Sequence, residues 1–172
     1  YDNMDVVSFD GDLQCTPSIH SAKGNYALPT HVGAFNNIKA HYEHNCIDGN
    51  CDPYDRVGGV KVRNYRGEWM ELFRYTTPFG VECEDNLDVT DFSSVLQGLV
   101  EFELYFESWK GSGYEPTLTF EMTKGTPDYA YTNVDEIWFD IYPFGDYANQ
   151  QPVPEVDYIF TENIEAAKLK LV

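Results

Sequence analysis

Positive charge is scarce in this sequence. Lysine and arginine together number 11 against 29 aspartate and glutamate residues, which gives a formal net charge of −18. Because such a surface repels nucleic-acid phosphates, the composition argues against a nucleic-acid partner. We interpret most of the negative charge as a means of solubility, and it says little about binding to an uncharged ligand.

Long apolar runs and a leader sequence are also missing. No stretch stays apolar for the length that a membrane-spanning helix needs, so no membrane partner is expected. The sequence opens at Tyr1-Asp2-Asn3 without a secretory signal, which we interpret as a mature or trimmed form. Its 172 residues support one ordinary domain, or one domain and part of another.

Cysteine is sparse but even in number, with residues Cys15, Cys46, Cys51 and Cys83. An even count that includes one close pair favours disulfides in an oxidising compartment, and hence a secreted or periplasmic protein. Zinc is the alternative, because His41 and His44 precede Cys46 and Cys51. On a strand these two histidines face opposite sides, and their spacing to the cysteines matches no standard zinc pattern. No metal or other cofactor is therefore expected.

Aromatic residues, by contrast, are abundant, with 13 tyrosines, 11 phenylalanines and 3 tryptophans. Such residues favour strands, and many short strands separated by turns are typical of a sandwich or jelly roll. Apolar positions predict strands, mostly by alternation, over residues 6–9, 26–28, 36–45, 60–62, 69–75, 100–109 and 118–122. The strands at 60–62 and 69–75 are predicted to form a hairpin, with the turn Asn64-Tyr65-Arg66-Gly67 between them.

The sequence also predicts one short helix, and its pattern changes near residue 135. Residues 90–98 are predicted as a helix that Thr90 or Asp91 could cap and Gly98 could end. Residues 137–141 resemble a buried strand, whereas 162–172 are ambiguous between helix and strand, of which we prefer the strand. We therefore expect a jelly-roll domain over 1–135, followed over 136–172 by a linker and the opening strands of a second, truncated or separately supplied jelly roll.

The stretch Cys46–Arg56, CIDGNCDPYDR, has the features of a stiff support. A Cys-x4-Cys pair can close a small disulfide loop, and Gly49 lies where a tight turn needs a positive φ. Pro53 fixes its own φ and favours an extended Asp52, which is expected to matter only for the shape of this loop. Catalytic groups need such support, because small displacements cost much of the rate.

This stretch resembles the Cys-x4-Cys-Asp-x-x-Asp-Arg segment of the bacterial peptide:N-glycosidase F family, whose members cut N-linked glycans from asparagine. Further similar segments follow in the family's order at residues 67–80, 87–98, 104–109 and 124–131. The resemblance covers most of residues 5–135. It implies an eight-stranded antiparallel jelly roll with a Cys46–Cys51 disulfide, and a Cys15–Cys83 disulfide then follows only by elimination.

The resemblance also implies site residues. From the sequence alone, Asp55 would be interpreted as a turn aspartate, but the family places its central catalytic carboxylate here. Arg56 would help organise the site and bind the glycan, and an extended backbone would point it away from Asp55. Glu107 and Trp109 share one face of the predicted strand, where an indole could cover a sugar ring and a carboxylate could take its hydroxyls. Both match residues of the family's substrate cleft.

We therefore predict Asp55 and Glu107 as catalytic residues, and Arg56 and Trp109 as substrate-binding residues. Glu101 and Glu103 lie on the same predicted face as Glu107 and are interpreted as solvated.

The implied function is hydrolysis of the amide that links an N-glycan to asparagine, giving aspartate and a 1-amino-glycan. The expected partners are an N-glycosylated peptide or glycoprotein and a second jelly-roll domain in the same or another chain. In the family that second domain supplies another glutamate, aromatic walls and an arginine. These 172 residues alone are therefore not expected to be active. The alternative is a glycan- or glycopeptide-binding jelly roll without catalysis.

Overall fold

Eight strands form the fold in a computed structural model, which describes residues 2–30, 33–129, 131–138, 153–160 and 163–170. They are β1 (Met4–Asp10), β2 (Ser21–Leu28), β3 (Phe35–His44), β4 (Val57–Arg63), β5 (Trp69–Thr76), β6 (Cys83–Asp88), β7 (Gly98–Phe106) and β8 (Thr117–Lys124). Two short 3-10 turns lie at Ile47–Gly49 and Thr90–Phe92. Among these residues, no helix is long and apolar enough to cross a bilayer.

The strands form two antiparallel sheets of four. One sheet has the order β1-β8-β3-β6 and the other the order β2-β7-β4-β5. Successive strands cross from one sheet to the other except at β4 and β5, which form the predicted hairpin through the turn that begins at Asn64. This order is that of a jelly roll, so the predicted fold is confirmed.

The core lies between the two sheets and follows the alternation of the sequence. On β3 the buried side chains include Ile38, Ala40 and Tyr42, and on β7 they include Phe102, Leu104 and Phe106. The intervening residues of both strands face outward, as predicted. Since burial of one large apolar side chain contributes roughly 1.5–3 kcal/mol, these inward faces account for much of the stability of the sandwich.

The helix predicted over 90–98 is wrong, because only the turn Thr90–Phe92 forms. The Thr90 hydroxyl accepts a hydrogen bond from the Ile38 amide (2.9 Å), and the Val89 amide donates to the Ile38 carbonyl (3.0 Å). These contacts bind the segment to β3 and replace the helical cap. Phe92 and Leu96 of this segment are buried in the core.

Strand β6 was not predicted. Its sequence, CEDNLD, is acidic and lacks apolar alternation, and all but one of its residues are exposed. It forms because its backbone pairs with β3 from Lys39 to His44, at the edge of the sheet. An edge strand with charged side chains is a common protection against pairing with other chains.

Backbone contacts divide the chain into two compact units, Tyr1–Val134 and Asp135–Val172. In the second unit the described residues 153–160 and 163–170 have neither helix nor strand, although alternation predicted a strand over 162–172. Within the strand predicted over 137–141, residues 139–141 lie outside the described residues. The division of the chain at residue 135 into a first and a second jelly roll stays a prediction.

His44 is an unusual member of the core. Its ring is fully buried and lies 4.1 Å from the Tyr114 ring and 5.2 Å from the Phe106 ring, measured between centroids. Its Nε2 has no hydrogen-bond partner within the described part of the chain. Burial lowers the pKa of His44 from 6.5 to about 3, because a charged imidazolium would lose its hydration there.

Acid should therefore destabilise this domain through His44. Between pH 6.5 and about 3 the unfolded chain binds a proton at this ring that the folded chain does not, so the stabilisation present above pH 6.5 is lost as the pH falls. We expect this group to lower the free energy of unfolding by about 2 kcal/mol between pH 7 and pH 5. Urea unfolding at several pH values measures the change.

His44→Phe should remove that contribution and flatten the pH dependence, because phenylalanine keeps the ring contacts without titrating. The same slope in His44→Phe as in the wild type would refute the assignment.

Candidate functional site

Two loops at one end of the sandwich carry the predicted site residues. We call residues 45–56, between β3 and β4, and residues 107–116, between β7 and β8, the site loops. They touch directly: the Ile47 amide donates to the Gly113 carbonyl (3.0 Å), and the Ser112 amide donates to the Asn50 carbonyl (3.0 Å). The β1–β2 loop joins them, since Cys15 and Tyr114 exchange two backbone hydrogen bonds of 2.9 and 2.7 Å.

The first site loop is closed by a disulfide between Cys46 and Cys51, as predicted, with Cα atoms 5.1 Å apart. Gly49 takes a φ of 66° in the turn, as its position in the sequence suggested. The Cys15–Cys83 disulfide expected by elimination is wrong, because both residues are free thiols. Cys15 is buried with Sγ 3.9 Å from the Leu104 carbonyl, whereas Cys83 is exposed at the start of β6.

Thiol labelling should distinguish the four cysteines. Without reductant, Cys83 should react, and Cys46 and Cys51 should not. Cys15 should react only after unfolding, because burial raises its pKa to about 12 and the thiolate is the reactive form. Mass spectrometry of alkylated peptides gives the measurement, and labelling of Cys46 or Cys51 in the native protein would contradict the disulfide.

The carboxylate of Asp52 is completely buried, with a side-chain exposure of 0%. Its Oδ2 accepts hydrogen bonds from Arg56 Nε and from the Trp109 and Lys110 amides, each at 3.0 Å. Its Oδ1 accepts from the Tyr54 amide at 3.1 Å. Asp52 therefore holds the second site loop as well as its own, which is a wider structural role than the sequence suggested.

Hydrogen bonding also decides the charge of Asp52. Burial by itself would raise the pKa of this carboxyl group, but the bonds from Arg56 and from three backbone amides favour the ionised form and leave the pKa below its usual value. Its backbone adds two contacts, from its amide to the Tyr114 hydroxyl (3.0 Å) and from the Gly80 amide to its carbonyl (3.2 Å). Asp52 is thus a paired, charged group inside the protein.

Asp55 and Arg56 follow Asp52 and have different surroundings. Asp55 is exposed and makes no hydrogen bond or ion pair with the described residues. Arg56 bonds to Asp52 instead of Asp55, in agreement with the expectation that the neighbours do not pair. Its guanidinium lies 5.3 Å from the centre of the Tyr54 ring, and its amide donates to the Thr77 hydroxyl at 2.9 Å. The loop thus presents Asp55 to solvent beside a fixed cation.

Glu107 and Trp109 lie in the second site loop, because β7 ends at Phe106 and not at residue 109 as predicted. The alternation nevertheless persists, since both are exposed while Ser108 between them is buried. The Glu107 amide donates to the Val57 carbonyl at 3.2 Å, which brings this loop next to the segment after Arg56. The Trp109 side chain is 58% exposed, and its ring meets the His20 ring edge-on with centroids 4.7 Å apart.

Glu101 and Glu103 are not simply solvated, so that interpretation is wrong. Glu101 forms an ion pair with Arg63 at 2.8 Å. Glu103 lies 3.8 Å from Lys23 and 4.0 Å from Lys61, and its side chain is largely covered. These contacts neutralise the outward face of β7 before it reaches the site loops.

The arrangement therefore brings together the four predicted residues on neighbouring loops: two exposed carboxylates, one guanidinium and one exposed indole. Such groups can bind a sugar and assist hydrolysis of an amide. Sequence reasoning missed Asp52 as the contact that holds both loops. The Asp52-Pro53 dipeptide was an available signal, because it is typical of the Asx turn seen between Asp52 and Tyr54. The contacts of Asp52 with residues 109 and 110 leave no pattern in the sequence around Asp52.

Asp52→Asn should destabilise the domain strongly. Asparagine keeps the size but has no charge and turns an NH2 group toward a buried donor, so Arg56 or a backbone amide loses its acceptor. Removal of one partner of a buried charged pair typically costs about 3–5 kcal/mol, which urea unfolding would measure.

The matched control is Asp48→Asn in the same loop. Asp48 is exposed with a φ of 54°, a conformation that asparagine tolerates, so its effect should stay within about 0.5 kcal/mol. Equal stability of the two variants would show that Asp52 does not hold the loops.

Comparison with known proteins gives a similar curated sequence and several similar structures. No family model matches the sequence. The chain is 38% identical over 120 residues to peptide-N(4)-(N-acetyl-beta-D-glucosaminyl)asparagine amidase F of Elizabethkingia miricola, a match that covers 66% of this chain and 34% of that protein. A crystal structure of a peptide-N(4)-(N-acetyl-beta-D-glucosaminyl)asparagine amidase aligns at 33% identity and a TM-score of 0.68, covering 76% of this chain and 44% of the other.

Two further structures agree with this likeness. PNGase F, a glycosylasparaginase from Flavobacterium meningosepticum, aligns with a TM-score of 0.69 at 33% identity and covers 76% of this chain and 45% of its own. PNGF-II, at 13% identity and a TM-score of 0.59, shares the fold alone. The chain thus spans between a third and a half of the length of the relatives it matches.

Proposed function

We propose that this chain, which belongs to the peptide:N-glycosidase F family, forms part of an amidase that removes N-glycans from asparagine. In this reaction the oxygen of a water molecule bonds to the side-chain carbonyl carbon of the asparagine. The C–N bond breaks, and the nitrogen takes a proton and leaves as the 1-amino-glycan. Aspartate remains in the peptide, so the substrate is an N-glycosylated peptide or glycoprotein.

The observation that carries this proposal is the support of Asp55. A disulfide closes the loop before it, and the Asp52–Arg56 ion pair at 3.0 Å fixes the residue after it. Asp55 itself is exposed and makes no hydrogen bond with the described residues, so a water molecule or a leaving nitrogen can reach its carboxylate. A carboxylate can activate that water or protonate that nitrogen, and a fixed position raises its efficiency.

Arg56, Glu107 and Trp109 are proposed to hold the glycan around Asp55. The Trp109 indole, which is 58% exposed, could cover the apolar face of a sugar ring. Glu107 would accept hydroxyl hydrogen bonds and assist the reaction. Arg56 uses its Nε for Asp52, so its two outer nitrogens could donate hydrogen bonds to a ligand.

We further propose that a second jelly-roll domain, in the same or another chain, completes the cleft. The match to the curated relative covers only 34% of that protein, so much of its chain has no counterpart in this comparison. On this proposal, the 172-residue chain binds glycan weakly and turns it over poorly. A secreted or periplasmic location is proposed with it, because the Cys46–Cys51 disulfide requires an oxidising compartment.

A glycan- or glycopeptide-binding module is the second candidate. The observation that favours it is the 58% exposure of Trp109, because an open indole suffices to bind a sugar without chemistry. Binding of a glycopeptide with no release of glycan by the complete protein would support this candidate against the amidase.

Asp55→Asn in the complete protein should lower the rate of glycan release by about two to four orders of magnitude, the usual contribution of a general acid–base residue. The free energy of unfolding should not change, because Asp55 is exposed. Glu107→Gln should reduce both rate and binding, and Trp109→Ala should weaken binding by roughly 1–3 kcal/mol. Mass spectrometry of a released glycan measures the rate, and calorimetry with a glycopeptide measures binding.

The control for Asp55→Asn is Asp48→Asn, which changes another exposed aspartate of the same loop and should keep the wild-type rate. Asp52→Asn is a poor control, because loss of its contacts disturbs both site loops. Near-normal glycan release by Asp55→Asn would rule out this residue as the catalytic carboxylate.

A further inference from the structure

Three side chains with metal-binding atoms meet on the outward face of the β1-β8-β3-β6 sheet, outside the site loops. They are His41 and Glu43 on β3 and Glu84 on β6, and one nitrogen or oxygen of each lies within 4.8 Å of those of the other two. Glu43 and Glu84 are direct partners in the strand register. The group therefore depends on the pairing of β6 with β3.

The two glutamates lack a compensating cation. Like charges directly opposite each other on neighbouring strands are destabilising. In the described part of the chain, no lysine or arginine forms an ion pair with either glutamate, and Glu43 has only His41, at 3.5 Å. Lys39, on the same face, is paired with Glu121 at 3.0 Å. A cation between the two carboxylates would remove this repulsion.

The orientation of His41 supplies the third ligand atom. Its Nδ1 lies 3.2 Å from the Asn86 Oδ1, and a hydrogen bond in which Nδ1–H donates to that oxygen leaves the lone pair of Nε2 facing the glutamates. A histidine that binds a metal through one nitrogen generally donates from the other to an oxygen in this way. The competing arrangement is a proton on Nε2 shared with Glu43, with no metal.

We infer that His41, Glu43 and Glu84 form a binding site for a zinc-class divalent ion. Bonds of roughly 2.0–2.2 Å place neighbouring ligand atoms of tetrahedral zinc about 3.4 Å apart. The observed 3.5 Å between His41 Nε2 and Glu43 Oε1 meets this spacing. Small side-chain rotations would bring the remaining ligand oxygen to the same spacing, because the His41 and Glu43 side chains are 26% and 41% exposed and have room to move.

The ligand set also selects the ion. One imidazole with two carboxylates suits zinc, whereas magnesium and calcium prefer sites made of oxygen alone. Water would fill the fourth position. Bound there, the ion would join the edge strand β6 to β3, and this inference does not depend on the proposed enzymatic function.

Titration of the metal-free 172-residue chain with zinc chloride by calorimetry tests the site. We expect saturable binding of one ion, and a higher unfolding temperature with zinc than without it. His41→Gln and Glu84→Gln should each weaken binding at least about tenfold and abolish the temperature shift, and Asn86→Ala should weaken binding by about tenfold through the orientation of His41. Circular dichroism confirms that each variant is folded.

Matched controls lie elsewhere on the surface. His20→Gln removes a partly exposed histidine of the β1–β2 loop, and Glu121→Gln removes a glutamate from the same sheet face, so both should bind zinc as the wild type does. Absence of saturable zinc binding would overturn the inference. Wild-type zinc affinity in His41→Gln would also overturn it, and so would calcium binding as tight as zinc binding. Either result would indicate that the acidic surface attracts cations without a specific site.

Discussion

The buried carboxylate of Asp52 is the contact on which the geometry of the candidate site depends. A charge removed from water is costly unless donors surround it, and here Arg56 and three backbone amides do so. Two of those amides, of Trp109 and Lys110, belong to the second site loop. The loops cannot separate without leaving a buried charge unpaired, so this single group ties the position of Trp109 to that of Arg56.

The second site loop lies close to the first site loop and to the β1–β2 loop, and two glycines allow this close approach. Gly111 has a φ of 73°, and a Cβ there would lie 2.4 Å from the Asn50 carbonyl oxygen. Gly113 has a φ of 116°, and a Cβ there would lie 2.2 Å from the Cys15 carbonyl oxygen. Both the positive φ and the missing side chain are therefore required. Without them the loop could not reach the disulfide-closed turn, and the amides that bind Asp52 would be misplaced.

The parts of the fold that could be predicted are those governed by local pattern. Strands β3 and β7 were clear because buried and exposed residues alternate along them. Strand β6 was not predicted, because an edge strand forms by backbone pairing and its charged side chains face outward. The helix predicted over 90–98 does not form because Val89 and Thr90 bond to Ile38 of β3. In each failure a contact distant in sequence outweighed the local preference.

The same distinction applies to the site. Asp55 could be named from a motif, since its neighbours in sequence carry the resemblance. The role of Asp52 could not, because it rests on partners 57 and 58 residues away. The two aspartates lie three residues apart in one loop, yet one is buried and paired while the other is exposed and unpaired among the described residues. Structural support therefore falls to Asp52, whereas the proposed chemistry falls to Asp55. Because Asp55 takes no part in holding the loops, its charge and protonation can serve a reaction without cost to the fold that presents it.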